Sequence, residues 1–161
     1  MSGRDISLVL AVLVVVSGFS IIVTVLPENV SAVTHYVGGG GPGNFTAIQD
    51  AINASNPGDT ISVYSGFYPG NISVYKSLSI IGEDRNTTEV GGKYGWGAVN
   101  INADWVNFSG FTVANGWRLG LVVDHAENCS ITNNIIPFPG KGIGVFLISS
   151  TNAVFRNNII T

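Results

Sequence analysis

The stretch SITNNII at residues 130–136 returns as VFRNNII at residues 154–160, each time with two adjacent asparagines ahead of two isoleucines. Residues 128–136 align with residues 152–160 at a step of 24, and residues 119–123 align with residues 143–147 at the same step. A weaker copy lies upstream, where residues 106–113 fall over residues 129–136 at a step of 23. Down these columns Val106, Cys129 and Ala153 share one position and Phe108, Ile131 and Phe155 another, while Asn107, Ser130 and Val154 lie between them. Apolar residues at every second position mark strands with one buried face. Because every copy keeps the same register, the strands are expected to stack in parallel, each over its counterpart in the preceding winding, about 4.8 Å apart around one apolar interior.

A leucine-rich repeat can have this period, but it needs a leucine-dense motif with one asparagine per unit, whereas isoleucine and valine dominate here and asparagine is paired. An antiparallel sandwich has no reason to repeat residue identities in fixed register. The expectation is therefore an all-β parallel solenoid. Asn133, Asn134, Asn157 and Asn158 fall where the chain must turn between two sheets of one coil, since asparagine tolerates the left-handed backbone region and bonds locally to the main chain. Stacked in successive coils, their amides can also bond to each other.

The open end of a solenoid exposes apolar side chains and unpaired strand groups, so it needs a lid. Thr46-Ala47-Ile48-Gln49 reads as a capping box opening a short helix over residues 46–56, with Phe45, Ile48 and Ile52 along one side and Asn56-Pro57-Gly58 ending it. Strand-like segments follow at residues 60–64, 72–75 and 78–81. The coils are expected over residues 60–161, preceded by a linker and leading strand over residues 27–45. The chain stops inside a copy of the repeat, which predicts further coils beyond it or a partner covering the last one.

Residues 6–26 form an apolar run of 21 residues, long enough as a helix to match a bilayer core of about 30 Å. It reads as a transmembrane anchor or a signal sequence, behind a cytoplasmic segment over residues 1–5. Arg4 before it and Glu28 after it place the rest of the chain outside the cytoplasm. Val30-Ser31-Ala32 offers a cleavage site that would leave Val33 first. A net charge of −3, with seven basic residues spread along the chain, excludes the basic face that nucleic acid requires. One cysteine, Cys129, excludes an internal disulfide and cannot build a zinc site alone. Glycosylation sequons stand at Asn29, Asn44, Asn53, Asn71, Asn86, Asn107 and Asn128, consistent with an exported surface protein or with a fold that consumes Asn, Ser and Thr in its turns.

Residues 44–88 (NFTAIQDAINASNPGDTISVYSGFYPGNISVYKSLSIIGEDRNTT), then ADWVNFSGFTV at residues 103–113, then the NNII copies, resemble the pectin-lyase-like right-handed parallel β-helix proteins. Within that group the chain is similar to the NosD-like repeat proteins, whose family name refers to periplasmic copper binding. The resemblance covers residues 35–161 and implies a right-handed β-helix. Its functional implication is broad, because such proteins include lyases, esterases, sugar-binding modules and structural stalks. The first coils also resemble pectin methylesterases, but the catalytic Gln and Asp motifs of those enzymes have no counterpart here. A lyase would need calcium carboxylates and a basic proton abstractor. Arg118, Lys141 and Arg156 are available, with no acidic cluster beside them.

The scarcity of charge narrows the chemistry. In one of two registers a residue apart, Asp104 is expected one coil from Glu127, about 5 Å away, a spacing that can hold calcium or pair an acid with a base. Copper, implied by the NosD-like name, would select imidazole or sulfur ligands. His35 and His125 lie far apart in sequence, and Cys129 falls in an inward column, so no copper site is expected. Residues 38–43 (GGGGPG) satisfy a dinucleotide-loop pattern, but Asp59 precedes the second strand where the ribose-binding acid should end it, so no such cofactor is expected. Tyr94, Trp96, Trp105 and Trp117 crowd a short region and can offer flat faces to sugar rings. The sequence thus predicts an exported cell-surface module with a structural or carbohydrate-binding role and no catalysis shown by this chain, in contact with glycans or other envelope components. The alternatives are a polysaccharide-active enzyme, lyase or pectin-esterase-like, whose site lies in missing coils, and a copper-delivery accessory protein.

Overall fold

A computed structural model describes residues 12–17, 20–25, 31–92, 97–114, 119–137 and 142–161. The chain divides into two units, Met1–Ser31 and Ala32–Thr161. In the first, β1 (Val12–Ser17) and β2 (Ser20–Val25) pair antiparallel, Val12 opposite Val25 and Ser17 opposite Ser20. The helix expected from the length of the apolar run is not confirmed, since strands occupy these described residues. Valine and isoleucine fill both strands, and branching at Cβ restricts these side chains in a helix while suiting a pleated strand. Among the described residues no helix is long and apolar enough to cross a membrane.

The second unit is a right-handed parallel β-helix. It opens with β3 (Thr34–Val37) and the helix α1 (Ile48–Ala54), followed by windings of three short strands each. These are β4 (Thr60–Val63), β5 (Gly66–Pro69) and β6 (Ile72–Val74); then β7 (Ser79–Gly82), β8 (Thr88–Gly91) and β9 (Gly97–Ile101). Next come β10 (Asn107–Ser109), β11 (Thr112–Ala114) and β12 (Leu119–Asp124), then β13 (Ser130–Thr132), β14 (Ile135–Ile136) and β15 (Ile143–Ile148). β16 (Val154–Arg156) and β17 (Ile159–Ile160) complete the described strands. The first sheet runs β3-β4-β7-β10-β13-β16, the second β5-β8-β11-β14-β17 and the third β6-β9-β12-β15, with every neighbouring pair parallel.

The expected columns are present. Phe108 pairs with Ile131 and Ile131 with Phe155, and Leu121 pairs with Val145. In the inward column of the first sheet Ile61, Ile80, Phe108 and Ile131 are wholly buried, and Phe155 at its end is half-buried. Phe108 stacks on Phe111 with centroids 4.6 Å apart and planes at 15°, and fully burying one such ring contributes roughly 1.5–3 kcal/mol. Two outward columns cross the same sheet. One holds Thr34, Thr60, Ser79, Asn107, Ser130 and Val154; the other holds Tyr36, Ser62, Ile81, Ser109, Thr132 and Arg156.

The asparagine pair divides its labour. Asn133 and Asn157 take positive φ, 56° and 54°, at the corner between the first and second sheets, where the preceding coil has Gly110 at 83°. Asn134 instead points into the core and is fully buried. Its Oδ1 accepts the Phe111 amide at 3.0 Å, and its Nδ2 donates to the Phe108 carbonyl at 3.1 Å and to Asn158 Oδ1 at 3.2 Å. The expected amide ladder therefore forms, one residue after the corner itself.

At the other end α1 closes the interior with Ile48, Ala51 and Ile52 buried, and Phe45 packs against the same core. The helix is shorter than expected and its N-cap is Ala47, with no side-chain cap. The capping box does not form because Gln49 is used elsewhere: its Oε1 accepts the Ser73 amide at 2.8 Å and its Nε2 donates to the Ser73 carbonyl at 3.3 Å. At the opposite terminus Lys76 Nζ donates to the carbonyls of Ile52, Asn53 and Ser55 at 3.1, 2.9 and 2.7 Å. A cation there satisfies orphan carbonyls and complements the helix dipole. Lys76→Met should cost about 1 kcal/mol in urea unfolding, with fraying confined to the lid.

Candidate functional site

The chain passes from the third sheet to the first through a turn, and this turn carries the expected acids and the most exposed aromatic among the described residues. Asp104 and Glu127 are stacked one coil apart, as the register predicts. Asp104 Oδ1 accepts the Glu127 amide at 2.8 Å, and the Glu127 carbonyl accepts the Trp105 amide at 2.9 Å. Both carboxylates are exposed. Among the described residues no three His, Cys, Asp or Glu side chains gather as a metal-binding group.

The residue that follows Asp104 is Trp105, and successive coils place Asn128 and Asn152 at the corresponding position, just ahead of Cys129 and Ala153. All three have left-handed backbones, with φ of 59°, 57° and 55°. Asn152 Nδ2 donates to Asn128 Oδ1 at 3.3 Å, continuing an exposed amide ladder along the turn. Asparagine takes this conformation readily, but a bulky side chain pays about 1–2 kcal/mol for it. Trp105 nonetheless occupies it with 69% of its surface exposed. An indole held in a costly backbone conformation and left uncovered contributes little to the core.

The structure adds an aromatic pair that the sequence reading missed. Tyr36 on β3 and Tyr64 just after β4 stack with centroids 6.1 Å apart and planes at 25°, and both are exposed. The Tyr64 ring lies over Gly39, where φ is 67° and a Cβ would strike the ring. Extending the two-residue alternation upstream to residues 34–37 would have marked Tyr36 as outward. Tyr94, Trp96 and Trp117 lie outside the described residues, as do Asn29, Arg118 and Lys141.

The copper-type ligands are engaged separately. His35 Nε2 sits 3.1 Å from Asp59 Oδ2 at the start of the solenoid, and His125 Nδ1 sits 2.6 Å from Asp124 Oδ1 on the surface. Cys129 is fully buried, with its Sγ 3.4 Å from the Ala103 carbonyl. Burial pushes the Cys129 thiol above its ordinary value, the backbone around Val106 pulls the other way, and the charge of Asp104 adds to the rise. Such a thiol is an inert core group rather than a nucleophile. Of the sequons, Asn53, Asn71 and Asn86 are exposed. Asn44, Asn107 and Asn128 are half-buried, and Asn44 Nδ2 is tied to the Gly38 carbonyl at 2.7 Å.

No protein-family model matches the sequence, and no curated protein matches it. Solved structures do. A pectin methylesterase in complex with hexasaccharide VII superposes with a TM-score of 0.64 at 15% identity, over 78% of this chain and 54% of that one. Pectin methylesterase PemA from Erwinia chrysanthemi superposes with a TM-score of 0.63 at 17% identity, over 80% of this chain and 54% of that one. The chain thus spans about half the length of these enzymes. At such identity the likeness establishes the fold class, a parallel β-helix shared with pectin methylesterases.

Proposed function

We propose that the chain is an exported β-helix module that contacts carbohydrate through exposed aromatic rings on its coils. The observation that carries this reading is Trp105, 69% exposed at φ 59° in a column otherwise filled by asparagine. Strain kept at an exposed position points to a use outside the fold. The apolar run ahead of the solenoid and the sequons support an extracytoplasmic location. Kinship with NosD-like proteins rests on the paired-asparagine copies, and copper enters only through that name.

Trp105→Asn separates the two roles a tryptophan can have. The variant restores the residue used elsewhere in the column, so its Tm should hold or rise, while glycan binding weakens about tenfold, the equivalent of roughly 1.4 kcal/mol of lost ring contact. A glycan array followed by titration of the strongest hit checks both. A fall in Tm with unchanged binding would make Trp105 a packing residue and end the proposal.

A second reading, a polysaccharide-active enzyme completed by further coils, is favoured by the pectin methylesterase likeness alone. Release of methanol from methyl-esterified pectin, or of unsaturated product from polygalacturonate, would replace the binding reading with it.

A further inference from the structure

We infer that the outer face of the first sheet is a docking strip for an uncharged, hydroxyl-rich polysaccharide lying across the stacked coils. This rests on the carbohydrate reading above and names its ligand class. Apart from Ile81, Val154 and Arg156, every position in the two outward columns holds a Ser, Thr, Asn or Tyr side chain. Parallel stacking sets these groups about 4.8 Å apart between coils and roughly 6.7 Å apart along each strand, a regular lattice of donors and acceptors on a flat sheet.

Their hydrogen bonding is the telling point. Some hydroxyls elsewhere in the solenoid are used internally: Ser55 Oγ donates to the Ala51 carbonyl at 2.7 Å, Ser65 Oγ to Glu83 at 2.8 Å and Thr112 Oγ1 to the Arg85 carbonyl at 2.6 Å. None of the side chains in the two outward columns makes a hydrogen bond within the protein among the described residues, so each keeps its full capacity for an external partner. The rings stand at the margins. The stacked Tyr36 and Tyr64 mark the end nearest α1, and Trp105 lies two residues before β10. Hydroxyls for the equatorial groups and rings for the apolar faces are the two contacts a sugar chain needs.

Charge selects the class. A polyuronate requires arginine or lysine along its path. Within the two columns the one cation is Arg156 at the far end, and the exposed carboxylates of Glu83 and Asp104 lie at the flanks. A neutral polymer meets no such penalty.

Affinity electrophoresis of the full chain in gels containing glucomannan, xyloglucan or polygalacturonate tests this. The wild type should be retarded by a neutral polymer and pass polygalacturonate freely. Ser109→Glu with Thr132→Glu, which places two carboxylates mid-strip, should abolish retardation at least tenfold with Tm unchanged. Ser109→Ala with Thr132→Ala, which removes only hydroxyls, should weaken it severalfold and decides the matter if the acidic pair fails to fold. Binding lost in Trp105→Asn but kept in both double variants overturns the strip while sparing the carbohydrate reading. Preference for polygalacturonate overturns the charge argument, and no retardation by any polymer overturns both readings.

Discussion

Replacing Asn134 with alanine is expected to destabilise the solenoid by about 3 kcal/mol, enough to lower Tm by roughly 10 °C in a domain of this size. The truncation leaves the Phe111 amide without its partner in a dry interior and removes a donor from the Phe108 carbonyl, which keeps its place in the β10–β13 ladder. An orphaned backbone group costs about 1–3 kcal/mol, and the missing side-chain volume adds a small cavity. Neighbouring Asn133 gives the internal control. It is exposed at φ 56°, so Asn133→Gly should be nearly neutral, whereas Asn133→Ala should cost about 1 kcal/mol. Urea unfolding of the three variants checks the contrast. Equal effects at the two positions would mean that both asparagines serve only the corner.

That contrast also shows what the sequence made legible. The step between the NNII copies fixed the parallel register, and the columns of Phe108, Ile131 and Phe155 fixed the inward face, because side chains that stack on themselves must repeat in place. Which asparagine turns inward was readable too. The weaker upstream copy sets Phe111 over Asn134, and an apolar residue in a column marks it as interior. Earlier windings were opaque because their lengths differ: Thr60 pairs with Ser79, and Ser79 with Asn107, so no constant step links them. Tyr36 and Tyr64 were missed for that reason. In the first unit run length argues for a helix while the density of β-branched residues argues for strands, and the two cues compete over the same residues. At the candidate site the stacking of Asp104 on Glu127 followed from one of two registers a residue apart, and the Glu127 amide on Asp104 Oδ1 picks it out. The left-handed backbone of Trp105 would have followed as well, had its column been continued from Asn128 and Asn152.

Asp59 is the second position where a single side chain holds much of the structure, and it lies where the repeat gave no warning. It is 1% exposed. Its Oδ1 accepts the Val33 amide at 2.8 Å, and its Oδ2 accepts the Asn56 amide at 2.8 Å and faces His35 Nε2 at 3.1 Å. One carboxylate thereby ties the leading strand to the chain leaving α1. Burial alone would raise its pKa, but the amides of Val33 and Asn56 together with the His35 imidazole hold it below its ordinary value. A carboxylate with a depressed folded-state pKa stabilises the protein fully above the ordinary carboxylate range, near pH 4, and loses that contribution as pH falls through the lower folded-state value. Asp59→Ala should therefore cost about 3 kcal/mol at pH 7, and the gap to wild type should shrink on acidification below about pH 4. The loss should be local first. The Thr60 and Tyr64 amides, which donate to the Val33 and Val37 carbonyls at 2.9 Å, should exchange hydrogen faster than those of β10 and β13 in the variant. Uniform acceleration across all coils would instead show that lid and solenoid unfold as one unit, and a stability gap that does not shrink at all on acidification would show that Asp59 acts through packing rather than charge.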